Sequence, residues 1–113
     1  MTEAAGPGGE VRVLPIDLVV EVRPGENVMA AATRAGLSWP TLCHGKAGCA
    51  VCAVQVLDGA DRVSAAADKE KQALRTYRGV VHEREPDLRL ACQMQVHGPV
   101  VVRKPGVRRA GMD

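Results

Sequence analysis

The stretch "TLCHGKAGCAVC", residues 41–52, sets Cys43, Cys49 and Cys52 among glycine, alanine and other small residues, and a fourth thiol, Cys92, lies far downstream. The spacing is C-x5-C-x2-C-x39-C. Clustered thiols in a reducing compartment serve metal or redox chemistry; in an oxidising one they form structural disulfides. Three chemistries fit. A C-x-x-C pair can form a disulfide. Four thiolates at about 2.3 Å satisfy a tetrahedral zinc ion, although zinc knuckles usually come as two short-spaced pairs and this set is three plus one. A [2Fe–2S] cluster takes four thiolates, two on each iron.

The small residues favour the last of these. Such a cluster carries about −2 when oxidised and one more negative charge when reduced, so backbone N–H donors must approach it closely. Gly45, Ala47, Gly48 and Ala50 allow the main chain to curl inward with little side-chain obstruction. Hydrogen bonds to charged groups contribute about 1.5–3 kcal/mol each, and those to cluster sulfurs help set the reduction potential. His44 and Lys46 share this loop. His44 reads first as an exposed loop residue, the sharper alternative being that its titration near neutral pH tunes the nearer iron. Lys46 reads as solvated, or else as offsetting cluster charge or meeting an acidic partner. His82 and His97 read as surface loop and turn residues with no assigned role.

The elements that must position these thiols follow from pattern. "VRVLPID" and "LVVEVR" read as two strands, and Asn27 as the cap of a helix through "VMAAATRAG" that Gly36 closes, with Met29, Ala32 and Ala30 or Thr33 inward. "AVCAVQVLDG" reads as an apolar strand ending at Asp58-Gly59. Ser64 or Asp68 is expected to cap a second helix, "AAADKEKQALRTYR", with Leu74 and Tyr77 inward. "LRLACQMQV" alternates Leu88, Leu90, Cys92, Met94 and Val96, which predicts a strand placing Cys92 on a buried face. "VVVRK" is a last strand. The order β-β-α-loop-β-α-β-β indicates an α+β fold, a small mixed sheet with one principal helix packed on it.

Composition sets the frame. A chain of 113 residues makes one domain. It divides into a flexible leader over 1–10, a domain over 11–105 and a basic tail over 106–113 that carries Arg108 and Arg109. Truncation after Pro105 is expected to leave the cluster site intact. With no Phe, one Trp and one Tyr, the core must be built from Val, Leu, Ala and Met, and could lean on a bound metal centre. A net charge of +2 does not indicate nucleic acid. The N-terminus lacks the features of a signal peptide and no apolar run is long enough for a membrane span, so a cytoplasmic location is the expectation.

The segment "PGENVMAAATRAGLSWPTLCHGKAGCAVCAVQV", closing with "RLACQ", resembles the [2Fe–2S] ferredoxins of the plant-type and adrenodoxin-type superfamily over residues 11–105, and the x5 spacing is that of the adrenodoxin and putidaredoxin branch. The resemblance implies a β-grasp, ubiquitin-like ferredoxin fold and one [2Fe–2S] cluster. By analogy Cys43 and Cys49 would hold an outer iron near solvent, and Cys52 and Cys92 an inner one. It also implies no catalysis of the chain's own: a soluble monomeric carrier would take one electron from a flavin-dependent ferredoxin reductase. It would pass the electron to an acceptor such as a cytochrome P450, another oxygenase or a different redox enzyme. A second reading is a redox-responsive, Shethna-type binding and protective module, whose cluster state switches partner association.

Two departures from the branch are plain. Ala53 stands where it usually carries a histidine, and its acidic docking helix is here the mixed-to-basic "ADKEKQALRTYR". Lys69, Lys71 and Arg75 are therefore the expected docking residues.

Overall fold

Alternating valines begin the sheet. In β1 (Gly9–Leu14) Val11 and Val13 face inward while Glu10 and Arg12 face solvent, and in β2 (Leu18–Val22) Val20 and Val22 face inward while Val19 and Glu21 do not. This period-two burial is what a half-covered strand requires. The computed structural model describes residues 8–39 and 52–109. After these strands come α1 (Val28–Arg34), β3 (Leu37–Ser38), β4 (Ala53–Asp58) and a 3₁₀ turn (Ala60–Arg62). Then follow α2 (Asp68–Arg78), β5 (Leu88–Leu90), β6 (Pro99–Arg103) and β7 (Arg108–Arg109).

The main sheet has the order β2-β1-β6-β4-β5. β1 runs parallel to β6, and the remaining pairings are antiparallel. A parallel pair cannot be closed by a tight turn, so the chain between β1 and β6 supplies the helices and the edge strands. This is the β-grasp arrangement. α1 packs on β2 and β3, and α2 packs on β5. The core is aliphatic as composition requires, with Val11, Val13, Leu74, Leu90, Met94 and Val102 among its fully buried members.

Local chemistry explains both helices. Asn27 caps α1, its side chain accepting from the Ala30 N–H at 2.7 Å. Two further first-turn amides are taken up from outside the helix: Val28 N–H donates to the Met94 carbonyl and Met29 N–H to the Ala91 carbonyl, both at 3.0 Å. α1 is thereby tied to the segment that carries Cys92. At the far end of α2, Gly79 adopts a positive φ of 66°, which glycine tolerates. The chain then turns back so that Val80 N–H reaches the Leu74 carbonyl at 3.2 Å.

Several expectations are corrected here. The cap of α2 is Ala67, with no side-chain hydrogen bond; Ser64 instead accepts from the Gln95 N–H through its hydroxyl at 3.0 Å. Tyr77 points outward and is 54% exposed, whereas Glu70, Ala73 and Leu74 form the buried stripe. In α1 the buried set is Val28, Ala31 and Ala32, with Met29 half-buried and Ala30 and Thr33 exposed. The long strand expected through Val96 stops at Leu90, because a turn at 91–93 lets both Gln93 and Met94 N–H donate to the Leu90 carbonyl. Val107, placed by sequence in the tail, is buried, and β7 pairs with β3 through Leu37↔Arg109 and Ser38↔Arg108.

Candidate metal centre

Cys52 immediately precedes β4 and Cys92 follows β5 by two residues. The two strands pair antiparallel with Ala53 opposite Leu90, so both thiols stand at the same end of one ladder. Cys52 is 0% and Cys92 3% exposed. The fold thus joins the long-range thiol to the end of the cysteine-rich loop. Cys43 and Cys49, with the loop residues His44, Gly45, Lys46, Ala47, Gly48 and Ala50, lie outside the described residues. Among the described residues no three metal-capable side chains converge.

The neighbours of the two thiols are suited to anionic sulfur. Gln93 Nε2 donates to Cys92 Sγ at 3.5 Å. Trp39, buried just past β3, donates its indole N–H to the Cys52 carbonyl at 3.2 Å. Lys104 is only 9% exposed. Burial pushes its ammonium below the usual lysine range, the Cys52 thiolate acts in the opposite direction, and Arg78 adds to the lowering. An amide donor on the Cys92 sulfur and a buried ammonium that the Cys52 thiolate influences fit a negatively charged iron–sulfur group better than a neutral packing role, and the Trp39 indole fixes the Cys52 backbone.

The strand carrying Cys92 is anchored from the other side. Arg89 and Glu70 form a buried ion pair between β5 and α2, and Glu70 also accepts the Leu90 N–H at 2.9 Å. Arg89 Nη1 continues the network to the Ser64 carbonyl at 2.7 Å. Every acceptor in this chain of bonds fixes a backbone segment within two residues of Cys92 or at the approach to α2.

The expected docking residues spread over α2. Lys69 and Arg75 are exposed, whereas Lys71 is half-buried and sits 3.5 Å from Glu83. Lys71 and Arg75 line a groove with His82 and Glu83, and Lys69 lines a neighbouring one with Tyr77. Sequence reasoning missed Trp39, Gln93, Lys104 and the Glu70–Arg89 pair as parts of this neighbourhood. For Lys104 a signal existed: it continues the alternation of Val100 and Val102.

Residues 11–97 match the family model described as the 2Fe-2S iron-sulfur cluster binding domain. The chain belongs to the [2Fe–2S] ferredoxin family. A 2Fe-2S ferredoxin of Pseudomonas aeruginosa is 34% identical over 82 residues, covering 73% of this chain and 70% of the relative. Among solved structures, the ISC-like [2Fe–2S] ferredoxin FdxB of Pseudomonas putida superposes with a TM-score of 0.71 at 26% identity, over 93% of this chain and 98% of that one. The Amycolatopsis cytochrome P450 reductase GcoB gives a TM-score of 0.70 at 27% identity over 89% of this chain. This ferredoxin spans 27% of that reductase's length. Its cofactor is one [2Fe–2S] cluster, and it is an electron-transfer protein, not an enzyme. No helix among its described residues is long and apolar enough to cross a membrane.

Proposed function

We propose that this ferredoxin shuttles single electrons, in the cytoplasm and as a monomer, from a flavin-dependent ferredoxin reductase to an oxygenase such as a cytochrome P450 or to another redox enzyme, with Cys43, Cys49, Cys52 and Cys92 as the cluster ligands. When bound, the cluster takes up and releases one electron without breaking a bond. The protein's part is to hold sulfur, exclude water and present a docking face. The observation that carries the reading is the meeting of buried Cys52 and Cys92 at one end of the β4–β5 ladder, in a chain with a third and fourth cysteine close before Cys52.

Further support comes from the company the fold keeps. GcoB is a cytochrome P450 reductase, so a unit of this shape within an oxygenase system supports the reading. The exposed Lys69, Arg75 and Tyr77 of α2, with half-buried Lys71 beside Glu83, offer a mixed-to-basic surface to an acidic partner. Such a contact steers encounter and releases quickly, as turnover demands.

The test is an anaerobic reductive titration followed by electron spin resonance, then turnover with a panel of flavin reductases and acceptors. One electron per chain, a [2Fe–2S] signal and salt-sensitive turnover are the expected results. A partner complex that is stable only in the oxidised state and never turns over would replace the shuttle with a redox-responsive binding module. Purified protein containing zinc but neither iron nor sulfide would overturn the ligand assignment.

A further inference from the structure

We propose that Lys104 is a built-in counter-charge for the metal centre, placed beside Cys52 to hold the reduction potential up. The inference rests on the ligand assignment made above for Cys52. β4 and β6 pair through Val56↔Val102 and Gln55↔Arg103. That pairing ends at Gln55↔Arg103, so Lys104 comes next, against the start of β4, where Cys52 immediately precedes Ala53. Opposed Cβ atoms in an antiparallel ladder are about 5 Å apart and diagonal neighbours about 7–8 Å, within reach of a four-carbon stem.

Burial agrees with this register. Val100, Val102 and Lys104 are buried while Arg103 is exposed, and on the facing strand Val54 and Val56 are buried while Gln55 and Leu57 are exposed; Cys52 and Ala53, at the start of that strand, are both buried. The residue is also fixed in place: its backbone N–H donates to the Leu14 carbonyl at 2.7 Å, continuing the parallel β1–β6 pairing. The Cys52 thiolate favours the charged form of this lysine, against the effect of burial. Where water is excluded, a charge acts with little screening. A fixed positive charge stabilises the more negative, reduced form of the centre more than the oxidised one, so its removal makes reduction harder. Arg78 is the contrasting cation: it also influences Lys104 but is exposed, where solvent screens it.

The experiment compares midpoint potentials of the cluster-loaded full chain and its variants Lys104→Met, Lys104→Gln, Lys104→Arg and Arg78→Gln at one pH and ionic strength. The expected result for Lys104→Met and Lys104→Gln is a fall equivalent to about a tenfold loss in the reduction equilibrium, about 59 mV for a one-electron couple. Lys104→Arg is expected to stay near the parent, and Arg78→Gln to move less than the neutral variants at 104. Unchanged potentials in both neutral variants, or a fall in Lys104→Arg as large as in Lys104→Met, would overturn the proposal. Should neutral variants lose iron and sulfide, retention in Lys104→Arg alone supports the counter-charge, and equal loss in all three shows a packing role and overturns it. A parent protein without iron would instead defeat the ligand assignment, so the two failures are distinct.

Discussion

Arg89 meets Glu70 side-on, its Nε donating to Oε2 at 2.6 Å and its Nη2 to Oε1 at 3.0 Å, with both side chains buried. Removing one partner of such a pair leaves an uncompensated buried charge, at a cost of about 3–5 kcal/mol. Glu70→Ala also strips the Leu90 N–H of its acceptor. We expect Glu70→Ala to lower the unfolding free energy read from urea titration by that amount and to hasten cluster bleaching, whereas the double change Glu70→Leu, Arg89→Met recovers most of the loss. A single variant within about 1 kcal/mol of the parent would show that the pair is not a structural anchor.

Trp39 reaches Cys52 through its indole N–H at 3.2 Å. Trp39→Phe removes that donor and part of the packing, and should cost about 1–3 kcal/mol. Chelator challenge is the sensitive readout: the variant should load a cluster of normal visible spectrum but lose it faster. Equal half-lives would make the contact incidental to cluster retention.

Glu26 takes two hydrogen bonds from Arg34, at 2.9 and 3.0 Å, and one from the Arg23 N–H at 3.1 Å. The Arg34 contact is the main cause that lowers its pKa from the ordinary 4.5 to about 2. A carboxylate with a depressed pKa stabilises the fold above its unfolded value and ceases to do so as pH falls through its folded value. Its contribution is therefore complete above about 4.5 and gone near 2. Glu26→Gln should cost about 1 kcal/mol at pH 7, and its urea midpoint should converge on the parent's as pH drops through that window. The difference between the two proteins cancels the acid sensitivity they share. A gap that stays constant down to pH 2 would refute the assignment.

Val107 is 7% exposed and stands beside the β3–β7 pair. Burying a valine contributes about 1.5–3 kcal/mol, so a chain cut after Pro105 should lose about that much stability. A cut after Arg109 keeps Val107 and both rungs and should lose far less. Thermal unfolding of the two truncated chains side by side decides the matter, and equal transitions would return Val107 to the status of a tail residue.

Much of this arrangement could be read from sequence because the signals were periodic or chemical. Alternating valines mark β1 and β2, a β-branched run marks β6, Asn27 marks the start of α1, and cysteine spacing marks the centre. What escaped lacked such a signal. β3 and β7 are two residues each, too short for any period. Tyr77 was assigned inward on hydrophobicity, yet Glu70 holds the buried position because Arg89 meets it there, and a partner 19 residues away in sequence cannot be read from a helix alone. The period-two reading placed Cys92 correctly in the interior for an incomplete reason: Ala91 and Cys92 are both buried, as a turn allows and a half-covered strand does not.

The Ala53↔Leu90 rung has a consequence for speed. The two buried cysteines flank the end of a hydrogen-bonded ladder, which on the proposed ligand set would limit how far they readjust when charge arrives or departs. A ligand frame that stays still between two oxidation states costs little reorganisation at the moment of exchange. On the proposed ligand set, rapid electron exchange would draw on the scaffold's stiffness before any partner docks.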